Sequence, residues 1–177
     1  HVREFRTGPE ARAAHRVMVA ALQTVERSDT VQVVLKPMTT FRDVAGLQLA
    51  CLRSLVPMLE HQGNRETAQA SCLTSLVVRA MLDFSADVEL QLAALHTIVL
   101  LARPIGVNTG AVYSRGMPSP PRLGALLGER GGIATVLETM TRHLAVAKVQ
   151  AMSCWALVNV MLIPAQKALV AERGGVE

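Results

Sequence analysis

Two side chains in the last quarter of the chain have the strongest potential to bind another molecule, Trp155 and Asn159. They stand four residues apart in an apolar stretch, so on a helix both would point to the same side, about one turn apart. An indole offers a flat apolar platform, and an Asn amide can donate and accept hydrogen bonds with a peptide backbone at once. The pair predicts a peptide-binding surface, and packing of Trp155 against a neighbouring helix is the alternative.

No pattern typical of an enzyme accompanies this pair. The internal histidines are isolated from any Ser, Cys or carboxylate in a recognisable motif; they are His15, His61, His96 and His143. The sequence also has no Gly-rich phosphate loop, no His-Glu-x-x-His and no Gly-x-Ser-x-Gly. We therefore predict a non-enzymatic protein without catalytic residues, metal or cofactor, although a triad assembled only in space stays open.

A pattern that occurs three times sets the positions of these residues. Each copy has a Met, an aromatic residue or His 3 positions later, a Gln 7 further on and a branched aliphatic residue 7 beyond that. The copies are Met38, Phe41, Gln48 and Leu55; Met81, Phe84, Gln91 and Ile98; and Met140, His143, Gln150 and Leu157. Such self-similarity signals a solenoid, in which each unit is too small to bury its apolar face alone. We expect these side chains to serve the core, with the Gln residues capping or bridging a helix corner.

The third copy indicates the shape of one unit most clearly. Gly131-Gly132 precedes an apolar helical pattern, and a second amphipathic run begins at about Ala147. Residues 126–133 are echoed by residues 169–176, 43 positions later. Glycine suits a sharp corner because it adopts positive φ without a Cβ penalty. The predicted unit is therefore a short helix, a Gly-Gly corner, a medium helix, a break and a long helix.

This order resembles the armadillo repeat. The residues that carry the resemblance are Gly131-Gly132-Ile133, Val136-Leu137, Val149-Gln150, and Cys154-Trp155-Ala156-Leu157-Val158-Asn159-Val160. The match is strong over 122–177 and weaker over 30–103, where the units lack the Gly-Gly corner and we expect drift towards two-helix, HEAT-like hairpins. The resemblance implies an all-α, right-handed α-solenoid with a concave groove formed by the long helices.

In import adaptors of the importin-alpha type, which this unit resembles, a Trp and an Asn on successive long helices hold an extended basic peptide. This chain has the pair once. In the two earlier repeats, Arg53 and His96 stand at the position of Trp155. Pro57 and Leu100 stand at the position of Asn159. By register we expect all six residues to line the concave side. An Arg, His and Trp groove suits a mixed acidic and apolar peptide or helix, with Arg pairing carboxylates; a solvated face of no specific use is the alternative.

The repeats divide the chain into parts of one solenoid fragment, 1–177. We predict an N-terminal partial unit or cap at 1–29, repeats at 30–63 and 64–103, an inserted loop at 104–121, a repeat at 122–163, and the start of a further repeat at 164–177. The loop explains why the Gln spacing grows from 43 to 59, because its Pro and Gly residues cannot continue a helix. We expect both ends to pack on further repeats, with self-association through exposed ends as another option.

Composition narrows the class of protein and its partners. A chain that is 50% hydrophobic but 3% aromatic indicates an aliphatic, helical core. No apolar run reaches the roughly 18 residues of a membrane span, and a net charge of +4 without a basic stripe does not favour nucleic acid. Cys51, Cys72 and Cys154 lie in apolar stretches and are predicted to be buried free thiols, which favours the cytoplasm, with the nucleus as the alternative.

These observations together predict a protein–protein interaction scaffold that binds a partner peptide or helix in the concave groove. The expected partner-binding residues are Trp155, Asn159, Arg53 and His96. One alternative is import-adaptor-like recognition of basic peptides, which the single Trp/Asn pair and the positive net charge disfavour. The other is a structural subunit of a larger assembly.

Overall fold

The regular structure of this chain is helical. A computed structural model describes residues 16–17, 19–21, 23–24, 27, 29–102, 131–161, 170–172 and 174. Every regular element in these ranges is a helix and none is a strand, which confirms the all-helical prediction. The elements are α1 (Gln32–Thr40), α2 (Ala45–Glu60), α3 (Gln62–Ala70), α4 (Leu73–Asp83), α5 (Val88–Ala102), α6 (Gly132–Arg142) and α7 (Ala147–Met161).

Six of these helices form three hairpins, each with a medium helix followed by a long one: α1–α2, α4–α5 and α6–α7. The long helices α2, α5 and α7 are 16, 15 and 15 residues long. Helix α5 packs against both α2 and α7, and α4 packs against both α1 and α6. The three hairpins therefore stack side by side, with the long helices in one layer and the medium helices in the other.

The core between the two layers is aliphatic. Its largest fully buried side chains are Leu, Ile and Met, including Leu52, Leu95 and Ile98 on the long helices. Burial of one such side chain contributes roughly 1.5–3 kcal/mol relative to leaving it exposed. Met38 and Met81 of the repeated pattern are also fully buried, while Phe41 and Phe84 are half-buried against the core. The aliphatic core expected from the composition is thus present.

Residues 62–102 contain a short, a medium and a long helix in succession, where we expected drift towards a two-helix hairpin. The short helix α3 is held to the end of α2 by Arg65, whose Nη1 donates to the carbonyls of Leu59 and Glu60 at 2.8 and 2.7 Å. A guanidinium at this place satisfies carbonyls that a helix C-terminus leaves free. The Ser71 hydroxyl then accepts from the Leu73 N–H at 3.1 Å, where α4 begins.

Two glycines 43 residues apart share one backbone conformation. Gly131, the residue before α6, has φ +74°, and Gly174 has φ +76°. A Cβ at either glycine would meet no atom within 4 Å, so the requirement for glycine comes from the left-handed backbone and not from crowding. The inserted loop predicted at 104–121 and the short helix predicted before Gly131 lie outside the described residues. Among the described helices, none is long and apolar enough to cross a membrane.

Candidate functional site

The corner between the two helices of each hairpin is closed by one glutamine. Gln48 donates from Nε2 to the carbonyls of Met38 and Phe41 at 3.0 and 2.9 Å. The two later corners have the same pair of bonds: Gln91 to Met81 and Phe84 at 2.8 and 3.1 Å, and Gln150 to Met140 and His143 at 2.8 and 3.0 Å. Both amide hydrogens are used on carbonyls at the end of the medium helix. The prediction that these glutamines bridge a helix corner is confirmed.

Two more bonds join the second and third corners to each other. The Thr139 hydroxyl lies 3.1 Å from Oε1 of Gln91 and 2.8 Å from the carbonyl oxygen of Thr135, so its single proton is shared between two acceptors. Nε2 of His143 lies 2.8 Å from the Ser85 carbonyl, to which it donates. His143 is therefore a buried link between hairpins, placed where the other two corners have Phe. The corner side chains are used to hold the helices together, so the candidate binding site lies elsewhere.

The long helices carry the predicted binding residues in a row, which we call the outward row: Arg53, His96 and Trp155. Arg53 is exposed, His96 is half-buried, and Trp155 is 56% exposed. Trp155 thus lies on the surface and not in the core, the question that the residues alone left open. Its indole is a large apolar side chain that lies close to another exposed apolar residue of the same helix, Val158.

Arg53 already has an anionic partner within the chain. Its Nη2 lies 2.5 Å from Oε2 of Glu89, on the neighbouring long helix α5. Both side chains are more than half exposed, so solvent screens the pair and its contribution to stability is small. A carboxylate from a partner would have to compete with Glu89 for this guanidinium.

The positions equivalent to Asn159 on the three long helices differ in their exposure to solvent. Pro57 is exposed and Asn159 is half-buried beside Trp155, but Leu100 is only 1% exposed. The expectation that Leu100 lines the surface is wrong, because every residue from 97 to 102 is buried where α5 is enclosed by α2, α3, α4 and α7. Of this set, only Pro57 and Asn159 are accessible to a partner.

Sequence reasoning missed an apolar strip beside Trp155. Ala151, Cys154 and Val158 are exposed on α7, and Val158 is 52% exposed. Together with Trp155 they follow the spacing 3, 1 and 3, which places them on one side of the helix. Of these three residues only Cys154 carried a prediction, that of a buried thiol, although the spacing itself is visible in the sequence.

The cysteines differ in their environments. All three are free, as predicted; Cys51 is buried, and desolvation raises the pKa of its thiol from 9.0 to about 12. Cys72 and Cys154 are exposed, so the prediction of burial is wrong for these two. Cys72 lies in the turn before α4, and Cys154 lies on the side of α7 that no described helix covers.

Other features of the described residues give no chemical centre. Within that part of the chain, no three His, Cys, Asp or Glu side chains come close enough to hold a metal ion. A hollow of about 460 Å³ is lined on one side by Val17, Ala20, Ala21 and Thr24 and on the other by residues of α1 and Phe41. Its lining is mainly apolar, with Lys36 as its one charged residue. It has no convergent set of polar groups of the kind that orients a small ligand. The outward row with Asn159 therefore remains the best candidate site.

Comparisons of this chain with protein-family models, with curated proteins and with solved structures each return no match.

Proposed function

We propose that this chain is a non-enzymatic interaction scaffold, an armadillo-like right-handed α-solenoid that binds a partner peptide or helix along its long helices. Trp155 and Asn159 are the main contacts, and Arg53 and His96 extend the surface along the row. The observation that carries the proposal is the exposure of Trp155, which is 56% exposed on α7, the last of the three described long helices that pack in series.

The exposed part of Trp155 is sufficient to anchor a ligand. A Trp side chain buries about 150–250 Å² when fully covered. Covering the exposed half therefore removes roughly 100 Å² of mainly apolar surface from water, which contributes about 2–3 kcal/mol. Tryptophan is among the residues that most often dominate the binding energy of an interface.

The charges near the row indicate what kind of partner fits. Arg53 is paired with Glu89, so an acidic group of the partner gains little by replacing one carboxylate with another. Asn159, half-buried one turn from Trp155, can donate to and accept from a peptide backbone. The preferred partner is therefore a segment with one apolar anchor for Trp155 and a free backbone edge for Asn159.

Selection of short peptides from a random displayed library on the 177-residue chain tests this proposal. Synthetic copies of the selected peptides are titrated while Trp155 fluorescence is recorded. We expect an apolar consensus residue, a change in Trp155 emission, and loss of binding in the variant Trp155→Ala with Asn159→Ala. Arg79→Ala, an exposed change on α4, is the matched control and should bind as the parent does.

Two results would contradict the proposal: selected peptides that bind the double variant as tightly as the parent, or a library that yields no binder. A Lys-rich peptide in the same titration tests the import-adaptor alternative. We expect no salt-sensitive binding of that peptide, because the row has a single Trp/Asn pair and the chain carries +4. The free thiols support a reducing compartment, and we propose the cytoplasm.

A further inference from the structure

Helix α7 has an apolar face that no described part of the chain covers. We call this the open face; it consists of Ala147, Ala151, Cys154 and Val158, all exposed. Their spacing of 4, 3 and 4 residues aligns them along one side of the helix, next to Trp155. An apolar stripe of this length on a long helix is typical of a packing surface.

The same positions on the other two long helices are covered. In register with the open face, α5 has Val88, Leu92, Leu95 and Val99, and α2 has Ala45, Leu49, Leu52 and Val56. None of these eight residues is exposed, and Leu52, Leu95 and Val99 are buried. The face that is open on α7 is therefore closed on α2 and on α5.

The stacking of the long helices explains this difference. The opposite side of α7 is buried and consists of Val149, Ser153, Ala156 and Val160. Among the described long helices, the one that packs against α7 is α5. Helix α5 packs on α2 as α7 packs on α5. The positions in register with the open face are covered on α2 and α5, which another described long helix follows, and exposed on α7, which no described long helix follows. The open face thus continues the interface already formed twice.

A separate feature of the backbone points to what covers this face. Residues 169–176 echo residues 126–133, and Gly174 has the left-handed conformation of Gly131, at φ +76° against +74°. Gly131 is the residue from which the chain enters α6. Val170, just before Gly174, is fully buried, so the helical turn 170–172 is docked on the core. The backbone at Gly174 is therefore set as it is where the α6–α7 hairpin begins.

We infer that the open face of α7 is the stacking site for one further helical hairpin of the α6–α7 kind, joined to this chain after Gly174. The face accepts an uncharged helix side with small and branched residues, such as the buried side of α7 itself. This inference rests on the solenoid part of the proposed function and is independent of peptide binding at Trp155.

End-to-end stacking of a second copy does not fit as well. In such a pair the open face of one copy would contact, on α2 of the other, the residues in register with the buried side of α7, which are Leu47, Cys51, Ser54 and Met58. None of these four residues is exposed, so this side of α2 is already covered. The Arg53–Glu89 bond indicates how the added hairpin lies, because it joins α2 to the first turn of the following long helix, α5. On α7, Trp155 occupies the position that Arg53 has on α2. We therefore expect the first turn of the added long helix to lie beside the indole.

The test joins one further hairpin to this chain. Residues 1–175 are followed by a copy of residues 133–161, in a Cys72→Ser background and with Cys154→Ser in the copy. Cys154 is then the one accessible thiol, since Cys51 is buried. We expect its reaction with a thiol reagent to slow by at least about tenfold relative to the unextended chain, because a covered thiol reacts only through local opening.

A matched control places charge on the added helix. Ala156→Glu with Val160→Glu in the copy would set two carboxylates against the open face, and we expect the Cys154 reaction to return to the rate of the unextended chain. A second extended protein, in which residues 1–175 are followed by a copy of residues 74–102, keeps the test valid if the first added hairpin folds poorly. It should also protect Cys154.

If Cys154 reacts at the parent rate in both extended chains, whether or not the added residues are helical, the inference is overturned. It is also overturned if the unextended chain forms a dimer by light scattering and Cys154 becomes protected as the protein concentration rises, because a second copy is then the occupant. Neither result bears on the peptide titration, which tests the proposed function by itself.

Discussion

The corners of the three hairpins are alike, while the residues of the outward row differ in every hairpin. Each corner has a Gln whose amide donates to the same two carbonyls, 10 and 7 residues before it. The corresponding places in the outward row hold Arg53, His96 and Trp155. Buried carbonyls must be satisfied in each unit, so the corner has one solution, whereas a solvent-facing position is free to vary. The residues that we propose for binding therefore lie where the three repeats differ in sequence.

The corners also differ in depth, and this gives the largest expected effect. Gln91 is fully buried and lies within hydrogen-bond distance of Thr139 in addition to its two carbonyls. We expect Gln91→Leu to lower the free energy of unfolding by about 3 kcal/mol, because it leaves buried polar groups without partners. Urea denaturation followed by circular dichroism measures the change.

Gln150→Leu removes the same two bonds at the half-buried third corner. Water can reach the carbonyls of Met140 and His143 more easily there, so we expect a smaller loss, about 1 kcal/mol. The same denaturation experiment compares the two variants directly. An equal or larger loss at Gln150 would break the link between corner depth and stability.

Local sequence patterns were enough to predict the helices and the corners, and not enough to predict exposure. The bonds of Gln48 join residues 10 apart or fewer in the chain, and such spacing is written in the sequence. Cys154 lies in an apolar stretch and was predicted to be buried, yet it is exposed. Leu100 shows the opposite error. Whether a helix side is covered depends on neighbours far away in the chain, which a local pattern does not specify.

The Arg53–Glu89 pair tests whether the outward row contributes to holding adjacent long helices together. Both side chains are more than half exposed, so we expect Arg53→Ala to cost less than about 1 kcal/mol of unfolding free energy. A double-mutant cycle with Glu89→Ala at two salt concentrations isolates the pair. A coupling energy that exceeds the loss at Gln150 would make the row part of the scaffold.

The smallest expected effect on stability belongs to the residues with the largest expected effect on binding. Trp155→Ala with Asn159→Ala changes an exposed indole and a half-buried amide, neither of which closes a corner. We therefore expect the free energy of unfolding to stay within about 0.5 kcal/mol of the parent, as for most surface substitutions. Urea denaturation of the double variant, run beside its peptide titration, separates the two roles. If unfolding becomes easier in proportion to the loss of peptide binding, Trp155 supports the fold as the corner glutamines do, and the contrast between corner and row disappears.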